Sequence, residues 1–169
     1  MKNYRINLLS TGGTIEKSYI EQRGEFFNQE PIISEIINRK LRLPFTQILH
    51  HKILFKDSLH FNDQDRNVIL EKLKELDQER DPIVVLHGTD TMKNSIQYLE
   101  GKIKLNVPVV FTGAMRPIGL IDSDAFQNIV EAFALSRVLK SGFYMSFHGH
   151  LFYGSKFYKD MKNSIFIAE

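Results

Sequence analysis

The chain has 169 residues, 43% of them hydrophobic and 11% aromatic, enough for a single domain, 1–169, with a substantial core. Its 22 basic and 20 acidic side chains leave a formal net charge of +2, too balanced to predict a nucleic-acid or membrane partner. Cysteine is absent, which excludes disulfides and thiol chemistry, and Arg5 and Asn7 stand where a secretion signal needs an apolar run, so a cytoplasmic protein is expected.

Tyr4 to Leu9 reads as a first strand, broken by Ser10-Thr11-Gly12-Gly13-Thr14. Residues 16–30 are mostly polar, without periodicity, and read as an irregular functional loop. Pro31 suits the start of a helix whose Ile32, Ile33, Ile36 and Ile37 recur on one face. Gln47 to Phe55 is a second strand, ended by Lys56-Asp57-Ser58. A helix capped by Asn62 follows, with Ile69, Leu73 and Leu76 as its buried stripe. Ile83 to Leu86 is a third strand, followed by His87-Gly88-Thr89-Asp90-Thr91-Met92 and a helix that Gly101 stops. Val107 to Phe111 is a fourth strand, and Asp124 begins a long helix carrying Phe126, Ile129, Val130 and Phe133. Gly142 to Phe147 is a fifth strand, turning through His148-Gly149-His150 into a short strand at Leu151 to Tyr153.

Short apolar strands alternating with helices predict an α/β fold: a three-layer, mostly parallel, doubly wound sheet of flavodoxin or Rossmann type. The predicted strand order is 2-1-3-4-5. Ligands of such sheets bind beyond the carboxyl ends of the strands, where the order reverses. That order would bring Ser10–Thr14 and His87–Met92 into one crevice. Taken alone, Thr89, Asp90 or Thr91 could be a mere helix cap. Together the loops offer hydroxyls, a carboxylate and glycine turns whose backbone N–H groups can stabilise an oxyanion. The set suits acyl transfer, with a threonine attacking an amide or ester. Phosphate binding fits less well, because there is no Gly-Lys-Ser/Thr ending and no Gly-x-Gly-x-x-Gly.

Thr11-Gly12-Gly13-Thr14-Ile15 and His87-Gly88-Thr89-Asp90-Thr91-Met92 resemble the two signature motifs of bacterial-type L-asparaginases. Asp57-Ser58 with Asn62-Asp63, the segment Gly113-Ala114-Met115-Arg116-Pro117 and Lys159 fall in the same order as further family motifs. The resemblance implies that Thr14 makes the first attack, aided by a tyrosine for which Tyr19 is the best match. It implies a second triad of Thr89, Lys159 and Asp90. Asp90 would also hold the α-amino group of a small amide substrate, Ser58 its α-carboxylate, and Gly13, Gly88 and Ala114 would line the pocket. It also implies a homodimer, and a chain equivalent to the family's N-terminal domain alone. The C-terminal domain of full-length members, which closes a neighbour's site and adds an acid there, is expected to be absent.

Three positions depart from the family pattern. Leu59 follows Ser58 where many relatives carry a polar residue, and Glu16 and Lys17 replace small residues. A second expectation is therefore a non-catalytic domain that senses asparagine, aspartate or a related metabolite in the same crevice. No cofactor or metal is expected. Of the six histidines, His50 and His51 point to opposite faces of a strand, and His148 and His150 have no acid close in sequence. The aromatic C-terminal region, Tyr144, Phe152, Tyr153, Phe157 and Tyr158, is expected to mark a subunit interface.

Overall fold

The structure is a computed structural model that describes residues 3–30 and 33–169. The start of the first predicted helix, Pro31 and Ile32, lies outside the described residues. In chain order the elements are β1 (Tyr4–Gly12), β2 (Lys17–Ile20), β3 (Glu25–Asn28), α1 (Ile33–Lys40) and β4 (Thr46–Lys56). Then come α2 (Asp63–Asp77), β5 (Ile83–Leu86), α3 (Met92–Glu100), β6 (Pro108–Thr112) and α4 (Ala125–Ser136). The chain continues through β7 (Gly142–Phe147), β8 (His150–Tyr153), β9 (Phe157–Asp160) and β10 (Ile165–Ala168).

The main sheet runs β4-β1-β5-β6-β7-β8. Its five parallel strands take the predicted 2-1-3-4-5 order, and the sheet differs in detail by the antiparallel edge strand β8. Period-2 alternation divides the strands between two cores. Leu9, Val85, Val109 and Met145 meet the buried faces of α2 and α3, whereas Leu8, Val84, Val110 and Tyr144 meet α1 and α4. All four residues of β5 are buried, each worth about 1.5–3 kcal/mol of apolar transfer.

This division has a topological consequence. The connections through α2 and α3 step the chain across the sheet in one direction on one face, and α1 steps it the other way on the opposite face. All three share one hand. The β6–α4–β7 connection steps in the direction of α2 and α3 but on the face of α1, so its hand is opposite. Crossovers between parallel strands are right-handed in about 98% of cases, so α4 is an exception. Its N-terminal end thereby lies against the segment that follows β6.

α2 starts at a capping box, in which the Asn62 side chain accepts from the Gln64 and Asp65 amides and Asp65 accepts from the Asn62 amide. Its last residue, Asp77, leads the chain into β6 from a distance. Asp77 Oδ1 accepts from the amides of Asn106 (2.7 Å) and Val107 (3.1 Å), and Oδ2 accepts from Asn106 Nδ2 (2.6 Å). Asp77→Ala would strand these donors, one of them buried. We expect a loss of about 2–3 kcal/mol in urea denaturation, with Asp77→Asn recovering part of it.

Three sequence expectations are corrected. Residues 16–30 are not irregular: Lys17–Ile20 and Glu25–Asn28 pair as an antiparallel hairpin. Only Asn28 of its strand residues is buried, so no burial pattern announced it. Gly101 does end α3, but in right-handed geometry (φ −74°), so no left-handed cap required glycine. Tyr144, Phe152 and Phe157 are buried in the cores rather than free for an interface, leaving Tyr153 and Tyr158 exposed. His148 has no acid close in sequence, but the fold brings it a partner 24 residues away, Asp124.

Candidate active site

β1 and β5 are adjacent, and the chain leaves them for opposite faces of the sheet, so a crevice opens at their carboxyl ends. Glycines let the loops there touch backbone to backbone. Gly13 adopts φ +81°, and a Cβ on it would sit 2.3 Å from Gly88 Cα. A Cβ on Gly88 would meet Ser58 Oγ at 2.3 Å, and one on Gly113 would meet the His87 carbonyl at 2.5 Å. The loops after β1, β4, β5 and β6 thus converge on His87-Gly88.

Two further bonds lock the register. Thr91, at the α3 N-cap position, does not cap the helix with its side chain; its hydroxyl donates instead to the Ser58 carbonyl at 2.7 Å. Lys17 of the hairpin pairs with Asp57 at 2.7 Å, and Asp57 also accepts from the Leu59 amide. Burial raises the Asp57 carboxyl, but Lys17 and the Leu59 N–H outweigh it and hold it below the usual range.

His87 is wholly buried between Phe61 and Phe111. Burial lowers its pKa to about 4, so the ring is neutral. Its Nδ1 lies 2.8 Å from the Gly88 carbonyl, which can only accept, so Nδ1 carries the proton. His87 is a packing support for the loop, and its neutral ring offers no charge to a ligand.

Above it, Thr89 is 4% exposed. Lys159 Nζ donates to Thr89 Oγ1 at 2.8 Å and to Asp90 Oδ1 at 2.6 Å. Lys159 comes from β9, whose hairpin with β10 is anchored by Phe157 and Phe166 against Phe152. Nearby Lys156 and Lys162 are exposed, so the register of this hairpin selects the lysine that reaches the crevice. Ser58 is also wholly buried, and its Oγ has no hydrogen-bond partner among the described residues. A buried hydroxyl left so costs about 1–3 kcal/mol, which a ligand's carboxylate would repay. Leu59 beside it is 66% exposed.

Ala114 is buried in the adjoining wall. The wall is held from α4 by residues that sequence reading did not assign to the site. Asn128 Nδ2 donates to the Gly113 carbonyl (2.9 Å), and Asp124 accepts from the amides of Met115 and Arg116. His148 Nε2 lies 2.8 Å from Asp124 Oδ2. Burial raises the Asp124 carboxyl, but the Met115 amide, His148 and the Arg116 amide outweigh it, and it stays below the usual range. The i, i+4 spacing of Asp124 and Asn128, which puts both on one helix face, was the available signal.

Of the residues named from sequence, Gly13, Ser58, Gly88, Thr89, Asp90 and Lys159 are joined by these contacts, with Thr14 next to Gly13 and Ala114 alongside. Tyr19 is placed differently. It is 56% exposed on the hairpin, with its ring packed edge-on against Phe26. The larger grooves, about 540 and 660 Å³, run along α1 and include none of these residues. Among the described residues no three His, Asp or Glu side chains gather to hold a metal, and no helix is long and apolar enough to cross a membrane.

The family model described as "Asparaginase, N-terminal" matches residues 5–165. The chain belongs to the asparaginase family. Over 153 residues it is 30% identical to an L-asparaginase of Thermococcus kodakarensis, covering 90% of this chain and 46% of that protein. Over 137 residues it is 31% identical to one subunit of a glutamyl-tRNA(Gln) amidotransferase of Methanosarcina acetivorans, covering 79% of this chain and 31% of that one. The solved thermostable L-asparaginase from Thermococcus kodakarensis superposes with a TM-score of 0.86 at 30% identity, over 97% of this chain and 51% of that structure. The chain therefore spans about a third to a half of the length of these relatives. The asparaginase fold accounts for both threonine loops meeting at one point of the sheet.

Proposed function

We propose that the crevice hydrolyses the amide of a small amino acid, L-asparagine or a close relative, to the acid and ammonia. The observation that carries this reading is Lys159 Nζ within hydrogen-bond reach of both Thr89 Oγ1 and Asp90 Oδ1, from 70 and 69 residues away. A lone threonine is a weak nucleophile, and a hydroxyl–amine–carboxylate chain is what activates one. The asparaginase and amidotransferase relatives are both named for amide chemistry.

In this reading Thr14 Oγ1 attacks the amide carbonyl, and the carbonyl oxygen takes the charge while backbone N–H groups of the glycine turns stabilise it. The C–N bond breaks, ammonia leaves with the transferred proton, and an ester on Thr14 remains. Water held by Thr89, with Lys159 and Asp90 behind it, then releases the acid. Ser58 Oγ donates to the substrate α-carboxylate, Asp90 accepts from its α-amino group, and Ala114 borders the amide. Tyr19 takes the tyrosine role when the hairpin brings it from Phe26 to Thr14. Residues 1–169 act as one asparaginase-like domain, working as a dimer in the cytoplasm.

Ammonia release from L-asparagine, D-asparagine, L-glutamine and short peptidyl amides tests this. Thr14→Ala and Thr89→Val should each lower kcat/KM by about 10³-fold or more on the best substrate. Turnover that survives both substitutions would reject the threonine assignment. Micromolar binding of L-aspartate without turnover of any amide would replace hydrolysis by the sensing role.

A further inference from the structure

Directly behind Thr14 lies a polar chain that the proposed chemistry does not use. Glu16 is buried, 5% exposed, two residues after the threonine. Its Oε2 accepts from the Gly12 amide at 2.8 Å. Its Oε1 accepts from Ser10 Oγ at 2.5 Å, and Ser10 Oγ lies 2.7 Å from His50 Nε2. The carboxylate thus grips both Ser10, near the end of β1, and Gly12, the strand's final residue, which leads into the turn that presents Thr14. On the other side of that turn, Gly12 and Gly13 rest on the backbones of Lys56 and Gly88 and cannot shift freely. We propose that Glu16 is a positioning residue, which sets the Gly12–Thr14 turn, and with it the threonine hydroxyl, through its bond to the Gly12 amide. The proposal rests on Thr14 being the attacking group.

The wiring makes this grip depend on one proton. Ser10 has a single hydroxyl proton to give. With Glu16 ionised, that proton goes to Glu16, and His50 donates Nε2–H to Ser10. The proton-free His50 Nδ1, which is buried without a partner among the described residues, then costs little. With Glu16 protonated on Oε1, the chain reverses: Glu16 donates to Ser10, Ser10 donates to His50 Nε2, and the ring proton moves to the unpartnered Nδ1. The bond from Gly12 also loses its charge-assisted strength, roughly half its worth.

Burial raises the Glu16 pKa to about 7, against the pull of Ser10, the Gly12 amide and Lys52. His50, lowered to about 4 by burial, Lys52 and His51, stays neutral throughout. The charged group facing this chain is Lys52 of β4, itself paired with Glu30 at 2.9 Å, while α1 presents Ile33 and Ile37 to this face. The turn is therefore held tightly above neutral pH and loosely below it.

Two readouts test the proposal on the full chain. In amide NMR, the Gly12, Gly13 and Thr14 resonances should titrate together near pH 7. They should stop titrating in Glu16→Gln, and their midpoint should move upward in Ser10→Ala, which removes a bond to the carboxylate. In ammonia release at pH 8, Glu16→Gln should lower kcat about tenfold with KM within twofold, and should lose the wild-type rise of kcat through neutral pH. A Gly12–Thr14 titration that persists unchanged in Glu16→Gln, or an unchanged kcat and pH profile, would overturn the role. If the wild type hydrolyses no amide, the amidohydrolase reading fails by itself, and the NMR titration alone then decides whether Glu16 sets the turn.

Discussion

Lys159→Met should lower kcat/KM for the best amide substrate by about 10³-fold, the middle of the range for losing a positioned proton-transfer group. The methionine keeps the length of the stem, so the β9–β10 hairpin stays anchored by Phe157 and Phe166. What goes is the donor shared by Thr89 Oγ1 and Asp90 Oδ1. Two roles are bundled in that nitrogen, and a second substitution separates them. Lys159→Arg preserves a cation beside Asp90, but a guanidinium cannot give up its proton in a protein. If Lys159 passes the threonine proton, the arginine variant should be nearly as inactive as the methionine one. If its work is to hold Asp90 by charge, the arginine variant should recover most of the activity. The stability cost is modest, about 1–2 kcal/mol by denaturant titration, because Lys159 and Asp90 keep 16% and 25% of their side chains in solvent. A methionine variant within tenfold of wild type would remove Lys159 from the reaction.

Much of this arrangement is legible in the amino-acid sequence. The apolar runs 83–86 and 107–111 become buried parallel strands because nothing else buries Val and Ile on both faces so cheaply. The alternation of strands and helices suggests the doubly wound order, and that order puts the two threonine loops together. What could not be read are contacts between residues far apart that carry no local pattern. Asp77 satisfies amides 29 and 30 residues on, and Asp124 and Asn128 hold the Ala114 wall from a helix whose i, i+4 polar pair does not say what it will face. Ser10, Glu16 and His50 look like three unrelated polar residues, and only the parallel pairing of β1 with β4, Leu8 against His50, brings them into line. The Lys17–Ile20 and Glu25–Asn28 hairpin escaped because its three aromatics, Tyr19, Phe26 and Phe27, stay on the surface, where alternation has no core to register against.

Gly13→Ala should cost about 3–5 kcal/mol in denaturant unfolding and abolish turnover. Two independent penalties add. The backbone at Gly13 (φ +81°, ψ −179°) lies in a region that is essentially glycine-only, at a cost of about 1–3 kcal/mol for any other residue. The new Cβ would also fall 2.3 Å from Gly88 Cα and 2.4 Å from Gly88 N, atoms that have no rotamer by which to move aside. Relief would need the two threonine loops to part, which breaks the crevice itself. Two other glycines resolve the terms. Gly24→Ala also meets a positive φ, +66°, but nothing lies within 4 Å, so only the left-handed backbone cost of about 1–2 kcal/mol should appear. Gly119→Ala has neither problem and should be neutral within about 0.5 kcal/mol. The decisive quantity is the excess of Gly13→Ala over Gly24→Ala beyond about 2 kcal/mol, the most by which the two backbone costs differ, because that remainder measures the contact between the loops. An excess near zero would mean that Gly13 and Gly88 do not touch in solution. The convergence of Thr14 and Thr89 would then need another source.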